Sequence, residues 1–281
     1  MSERVQRLRA RLAERELDAL LVTQPFNVRY LTGYTGSNGR TIVRADDSGP
    51  DRFLTDFRYL TQAAQQVNQG FERQVDQGDL LEAAARTLSG DGVGRVGFDD
   101  AHVTVRQHGR LEELSGSTVE LVAAGGLVED LRAVKEEGEI ERIRAAAALI
   151  DDVFEWVVDR GVLGHTERAL AADLEHEMMR RGAEEPSFRS IVAAGDNSAL
   201  PHAQPRDVEI PVGTLLTIDM GARLDGYCSD CTRTFATGDV GDDARAVYDL
   251  VLRAQEAGLH ALRAGPKGRE VDAAARHVID E

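Results

Sequence analysis

Asp225-Gly226 separates two strand-like runs, and no other short stretch constrains the fold of this chain as strongly. Leu215-Leu216-Thr217-Ile218-Asp219-Met220-Gly221 lies before it, and Tyr227-Cys228-Ser229-Asp230-Cys231-Thr232-Arg233-Thr234-Phe235 after it. Both turn residues tolerate positive φ, so the runs are expected to fold back on each other as a tight β-hairpin. Asp219 then sits inside an apolar strand, with Asp230 almost opposite on the return strand. Two carboxylates in a partly dry setting repel, and one takes up a proton unless a cation lies between them. A pair of divalent metals resolves the conflict and provides a hydrolytic centre. The structural alternative is neutralisation by Arg223 or Arg233.

The 281 residues are 42% hydrophobic and 29% charged, the balance of a globular protein of one or two domains. A net charge of −16 argues against nucleic acid or an anionic membrane as partner, since both require a basic face. The N-terminal stretch Met1–Leu12 lacks the apolar core of a signal peptide. No apolar run approaches the roughly 18–20 residues of a membrane span. Cys228 and Cys231 are the only cysteines, too few for a disulfide framework, and a cytoplasmic protein is expected.

Up to about residue 131 the sequence alternates helical and strand-like segments, as in a small α/β layer domain. Strands are expected at 19–23, 41–43, 52–55, 95–98 and 118–122, with helices at 59–67, 80–88 and 104–114. Beyond Ala123-Ala124-Gly125-Gly126, a long helix is expected from Glu136, with Ile140, Ile143, Ala147, Ile150, Phe154 and Val157 on its buried stripe. Thr166 is a candidate N-cap for the next helix. A strand at 188–194 and the loop Gly195–His202 follow, then the hairpin and helices at 242–262 and 271–279.

In this order and spacing, the motifs resemble those of the Xaa-Pro peptidase branch of the methionine-aminopeptidase/creatinase superfamily. The N-terminal resemblance rests on Asp18-Ala-Leu-Leu-Val22, Asn27-Val-Arg-Tyr-Leu-Thr-Gly-Tyr-Thr-Gly-Ser37 and Thr55-Asp-Phe-Arg-Tyr59. The C-terminal resemblance rests on Leu131-Arg-Ala-Val-Lys135, Glu139-Ile-Glu-Arg-Ile-Arg144, Ser198-Ala-Leu-Pro-His202 and the aspartate hairpin. It implies an α/β creatinase-like domain over 1–131 and an α+β pita-bread metallopeptidase domain over 132–281, of which only the first half is present. The implied activity is metal-dependent hydrolysis of the bond between an N-terminal residue and a following proline. The family's dinuclear centre takes two aspartates, a histidine and two glutamates. Asp219 and Asp230 match the aspartates, whereas His260 and His277 do not match the histidine's motif. Three of five ligands are thus unaccounted for, and a truncated chain with doubtful activity of its own is expected. Two divalent ions are implied, Mn²⁺ first and Co²⁺ or Zn²⁺ as alternatives. A proline-containing peptide or dipeptide is the implied substrate and a homodimer the implied assembly.

By the same resemblance His202 is a catalytic residue that hydrogen-bonds the substrate carbonyl or developing oxyanion; otherwise it is an exposed loop histidine. Cys228 and Cys231 share a strand and should point to opposite faces, so their spacing is read as chance. Asp56 is expected to cap the following helix. Arg58, Tyr59, Asn27 and Tyr30 carry weaker assignments to a neighbouring subunit's rim. With half a sheet missing, Val192, Leu216 and Ile218 should lack apolar partners on one side, beside an open sheet edge. The rival readings are a metal-free creatinase-like hydrolase of an amidino compound and a non-catalytic binding module on the same fold.

Overall fold

A computed structural model describes residues 2–281 and divides into two compact units, Met1–Lys135 and Glu136–Glu281. The expected boundary at 131/132 falls inside a helix, Leu127–Ala133, which closes the first unit.

The first unit runs α1 (Glu3–Glu14), β1 (Ala19–Val22), α2 (Pro25–Thr32), β2 (Gly39–Arg44) and β3 (Asp51–Asp56). It continues with α3 (Leu60–Gln66), β4 (Phe71–Asp76), α4 (Leu80–Gly90), β5 (Arg95–Phe98), α5 (Val105–Ser115), β6 (Glu120–Ala123) and α6 (Leu127–Ala133). The six strands form one mixed sheet in the order β4-β3-β2-β1-β5-β6. β1 pairs antiparallel with β2 and parallel with β5. All four residues of β1 are buried because helices cover both sheet faces. Leu20 and Val22 pack into a core with α1, α2 and α6, while Ala19 and Leu21 face α4 and α5. Such two-sided burial explains why β1 reads as a continuous apolar run rather than an alternating one. The Asp56 cap is present: its side chain accepts from the Arg58 amide at the start of the short 3₁₀ turn Phe57–Tyr59.

The second unit opens with α7 (Glu137–Arg160) and α8 (Glu167–Arg180), followed by β7 (Glu185–Pro186) and β8 (Ile191–Ala194). Next come β9 (Leu215–Met220), β10 (Ala222–Leu224), β11 (Tyr227–Cys228) and β12 (Cys231–Ala236). Two helices, α9 (Gly241–Ala261) and α10 (Gly268–Asp280), complete it. The buried stripe of α7 is rotated from expectation: Ala146, Leu149 and Val153 are buried with Ile150, Phe154 and Val157, whereas Ala147 is exposed. α7 and α8 pack on one face of the sheet β12-β9-β8, and the second sheet runs β11-β10-β7. Val192, Leu216 and Ile218 are fully buried beneath these helices, which corrects the expectation that they would lack partners. The two helices alone supply the missing side.

Candidate metal and peptidase site

The hairpin forms around the expected residues. Asp225 and Gly226 have φ of 48° and 76°, as a two-residue type I′ connection requires. Arg142 Nε holds the Asp225 carboxylate at 2.7 Å. From Leu224↔Tyr227 to Leu215↔Ala236 the register is continuous, but the ladder is interrupted at Gly221. A Cβ on Gly221 would lie 2.0 Å from the Ser229 carbonyl oxygen, so only glycine admits this close backbone approach.

β9 alternates strictly. Leu216, Ile218 and Met220 are buried against the helices, which turns Thr217 and Asp219 to the other face of the sheet. The register sets Thr232, not Asp230, opposite Asp219. Asp230 lies two residues before Thr232, just outside β12 and across from Gly221 where the ladder is interrupted, and so sits diagonally to Asp219 across the hairpin. The Thr232 hydroxyl donates to Asp219 Oδ1 at 2.7 Å. Asp219 is half-buried and Asp230 exposed.

Both candidate counter-ions are engaged elsewhere. Arg223 pairs with Glu184 at 2.9 Å and with Glu185 at 2.5 Å. Arg233 donates to Cys231 Sγ and to the Thr232 carbonyl, each at 2.9 Å. Neutralisation of Asp219 by either arginine is therefore not what the structure shows. Among the described residues neither aspartate has a cationic partner, and two such carboxylates fit as donors to a hard divalent ion. They fit only as part of a site, because no group of three or more His, Cys, Asp or Glu residues able to hold a metal occurs among the described residues.

His202 is exposed in a turn that follows the 3₁₀ helix Gly195–Ala199, and no hydrogen bond joins it to either aspartate. Its neighbour Ala203 is only 1% exposed and anchors the loop from inside. Contrary to expectation, Cys228 and Cys231 do not share a strand: Cys228 ends β11 and is exposed, whereas Cys231 begins β12 in the other sheet and packs against the core, both as free thiols. Burial pushes the Cys231 thiol pKa up.

The most heavily bonded carboxylate in this part of the fold went unnoticed in the sequence. Glu167, 1% exposed, is the first residue of α8. It accepts from the amides of Ala194 (2.9 Å) and Arg206 (2.8 Å) and from Asn197 Nδ2 (3.0 Å). The Arg206 guanidinium adds bonds of 3.0 and 2.8 Å. Burial opposes ionisation, yet the bonds from Arg206 and from the two amides outweigh it and hold the carboxyl below the usual glutamate range. An acid in a first helical turn is normally a solvated partner of the helix dipole, so nothing in its position flagged it.

Residues 141–281 match metallopeptidase family M24, and residues 4–134 match the creatinase/prolidase N-terminal domain. The chain belongs to metallopeptidase family M24, an enzyme family, and carries the creatinase/prolidase N-terminal domain ahead of the catalytic one. It is 38% identical to the uncharacterized peptidase YqhT of Bacillus subtilis, over 98% of this chain and 77% of that one. Among solved structures it is similar to an Xaa-Pro dipeptidase from Bacillus anthracis, at a TM-score of 0.93 and 34% identity over 99% of this chain and 77% of that one. An X-Pro aminopeptidase from Thermotoga maritima is matched at a TM-score of 0.87 and 31% identity, covering 95% of this chain and 77% of that one. Coverage of 77% of each relative does not bear out the expectation of a truncated chain. Family M24 implies divalent metal ions. Among the described residues no helix is long and apolar enough to cross a membrane.

Proposed function

We propose that this protein hydrolyses the peptide bond between a residue and a following proline, with Asp219 and Asp230 as carboxylate donors to divalent metal and His202 as a hydrogen-bond donor to the developing oxyanion. The observation that carries this is the pair of hairpin carboxylates left without cationic partners while Arg223 and Arg233 are satisfied elsewhere. The relatives named as Xaa-Pro dipeptidase and X-Pro aminopeptidase support the substrate class, a proline-containing peptide or dipeptide. A divalent ion bound there supplies Lewis acidity at the scissile carbonyl and lowers the pKa of water. Thr232 fixes one oxygen of Asp219 and leaves the other available for a ligand bond. Oxygen donors of this type suit Mn²⁺, Co²⁺ or Zn²⁺, of which Mn²⁺ is proposed by resemblance to the family.

Residues 132–281 are assigned as a pita-bread metallopeptidase domain in which Asp219 and Asp230 are two of the metal ligands. A homodimer and a reducing, cytoplasmic compartment complete the proposal; the free thiols of Cys228 and Cys231 are compatible with that compartment. The aspartates favour a metallopeptidase over a metal-free creatinase-like hydrolase, which has no use for two uncompensated carboxylates.

Equilibrium dialysis of the 281-residue chain against Mn²⁺, beside hydrolysis of Ala-Pro, tests the assignment. With two donors the chain should bind Mn²⁺ weakly and turn over slowly, and binding should fall in both Asp219→Ala and Asp230→Ala. Turnover that survives both substitutions would overturn the metal assignment. His202→Ala should leave metal content unchanged and lower kcat and kcat/KM together, by on the order of 10²–10³ for one lost oxyanion donor. Near-wild-type kinetics would return His202 to an ordinary surface residue.

A further inference from the structure

The loop that carries His202 is tied at both ends to one buried carboxylate. Its first residues, Ala194 and Asn197, and its last, Arg206, all donate to Glu167. The far end is also held by backbone bonds from the first turn of α8: the Glu167 amide donates to the Val208 carbonyl and the Arg168 amide to that of Arg206. These use amides that a helix N-terminus leaves without intrahelical partners. The carboxylate then draws the start of the loop to the same point, so that the chain between 194 and 206 must close as a loop with His202 near its tip. A fully exposed loop would not need a carboxylate with 1% exposure at its base. Burying that charge is costly unless it is fully hydrogen-bonded, and here five donors converge on it.

We propose that Glu167 is a positioning residue: with Arg206 it latches the 194–206 loop and sets the direction in which His202 is presented. The inference rests on the reading of His202 as the oxyanion donor, although the latch itself is a property of the loop. Glu177 provides an internal control. It is also buried on α8, but its partners are Arg180 and Arg181 and it makes no bond to the loop.

The test is backbone amide exchange together with the His202 ring NMR signal, measured on the 281-residue chain and on Glu167→Gln, Arg206→Ala and Glu177→Gln. Glu167→Gln should speed exchange across 195–206 by roughly ten- to hundredfold, because one of the two acceptor oxygens becomes an NH2 group facing the same donors and the charge that binds Arg206 is lost. Amides of the α8 interior should keep their protection, and the His202 signal should shift and broaden. Arg206→Ala removes two of the five donors and the positive charge that faces Glu167 without opening a buried void, and should give a change of the same kind. Glu177→Gln should leave both readouts at wild-type values. Unchanged loop exchange in Glu167→Gln, or an equal change in Glu177→Gln, would overturn the latch. With Mn²⁺ and Ala-Pro, Glu167→Gln should lower kcat with KM within about twofold, the signature of lost transition-state contact. Should His202→Ala leave turnover intact while the loop still responds to Glu167→Gln, the role of His202 fails and the latch stands. Should His202→Ala abolish turnover while the loop ignores Glu167→Gln, the latch alone fails.

Discussion

α4 in the first unit and α9 in the second are both amphipathic, and they meet opposite fates. In α4, Leu80, Leu81, Ala83, Ala84, Ala85 and Leu88 are all buried against the six-stranded sheet. In α9, nearly twice as long, Ala254 is the only buried residue. Val247, Tyr248, Val251 and Leu252 stand at least 40% exposed on it, and Leu259 and the capping Leu262 more so. α9 packs on α10, and a Cβ at Gly258 would make an ordinary contact with that of Ala275 at 3.6 Å. The difference lies in the tertiary surroundings rather than in the helices. Periodicity forms a helix with an apolar stripe, but stabilisation comes from what covers the stripe. In the first unit a sheet does so on both faces; in the last forty residues, only the neighbouring helix does.

The strongest way to break this contrast is to remove core volume where it should matter most. Leu21 is fully buried between β1 and the α4–α5 layer. Leu21→Ala should destabilise the first unit by about 2–5 kcal/mol, the transfer loss plus an unfilled cavity. Urea denaturation followed by far-UV circular dichroism measures it. A loss below about 1 kcal/mol would mean that the sheet is no better packed than the terminal helices.

Legibility in the sequence divides along the same line. The β5 strand, the caps at Asp56 and Thr166 and the Asp225-Gly226 turn could all be read locally, because each is fixed by its own residues and immediate neighbours. β4 was missed: its pattern is mostly exposed and lacks the apolar run that marks a buried strand. The α7 stripe was misplaced because Ala146 and Leu149 are chosen by the sheet beneath them, and a run of alanines leaves the helix phase open. At the candidate site, the two aspartates were visible from the hairpin, and their diagonal offset follows from its two-residue turn, which sets Leu224 opposite Tyr227 and hence Asp219 opposite Thr232. Glu167 was invisible because its role is defined by residues 27 to 39 positions away.

An intermediate test uses pH within the well-packed part of the second unit. Hydrogen bonds from Arg180, and then from Arg181, hold the Glu177 carboxyl down at about 2, despite its desolvation. A depressed folded-state pKa stabilises the fold above the unfolded value, near 4.5, and that stabilisation is lost as pH falls from there toward 2. Solvent screens the exposed Arg180 side of the pair, so the effect should be about 1 kcal/mol. Denaturation at pH 7 and pH 3 should show a smaller decline for Glu177→Gln than for wild type. An identical decline would show that this buried acid is as loosely held as a surface one.

The smallest expected effect is also the one most diagnostic of the terminal helices. Val251 is 53% exposed, so truncating it removes little buried area. Valine loses side-chain freedom in a helix that alanine does not, a difference of roughly half a kcal/mol in favour of alanine. If solvent alone faces α9, Val251→Ala should be neutral or stabilising by a few tenths of a kcal/mol. If another surface covers α9 in solution, such as a second copy of the chain, the same change would cost more than about 1 kcal/mol. That cost would grow with protein concentration, because association stabilises the folded state by mass action. Chemical denaturation at two protein concentrations, beside sedimentation equilibrium, separates the outcomes. A concentration-dependent loss at Val251, with none at Leu21, would show that the apolar face of α9 is completed only by assembly, while the first unit closes its core alone.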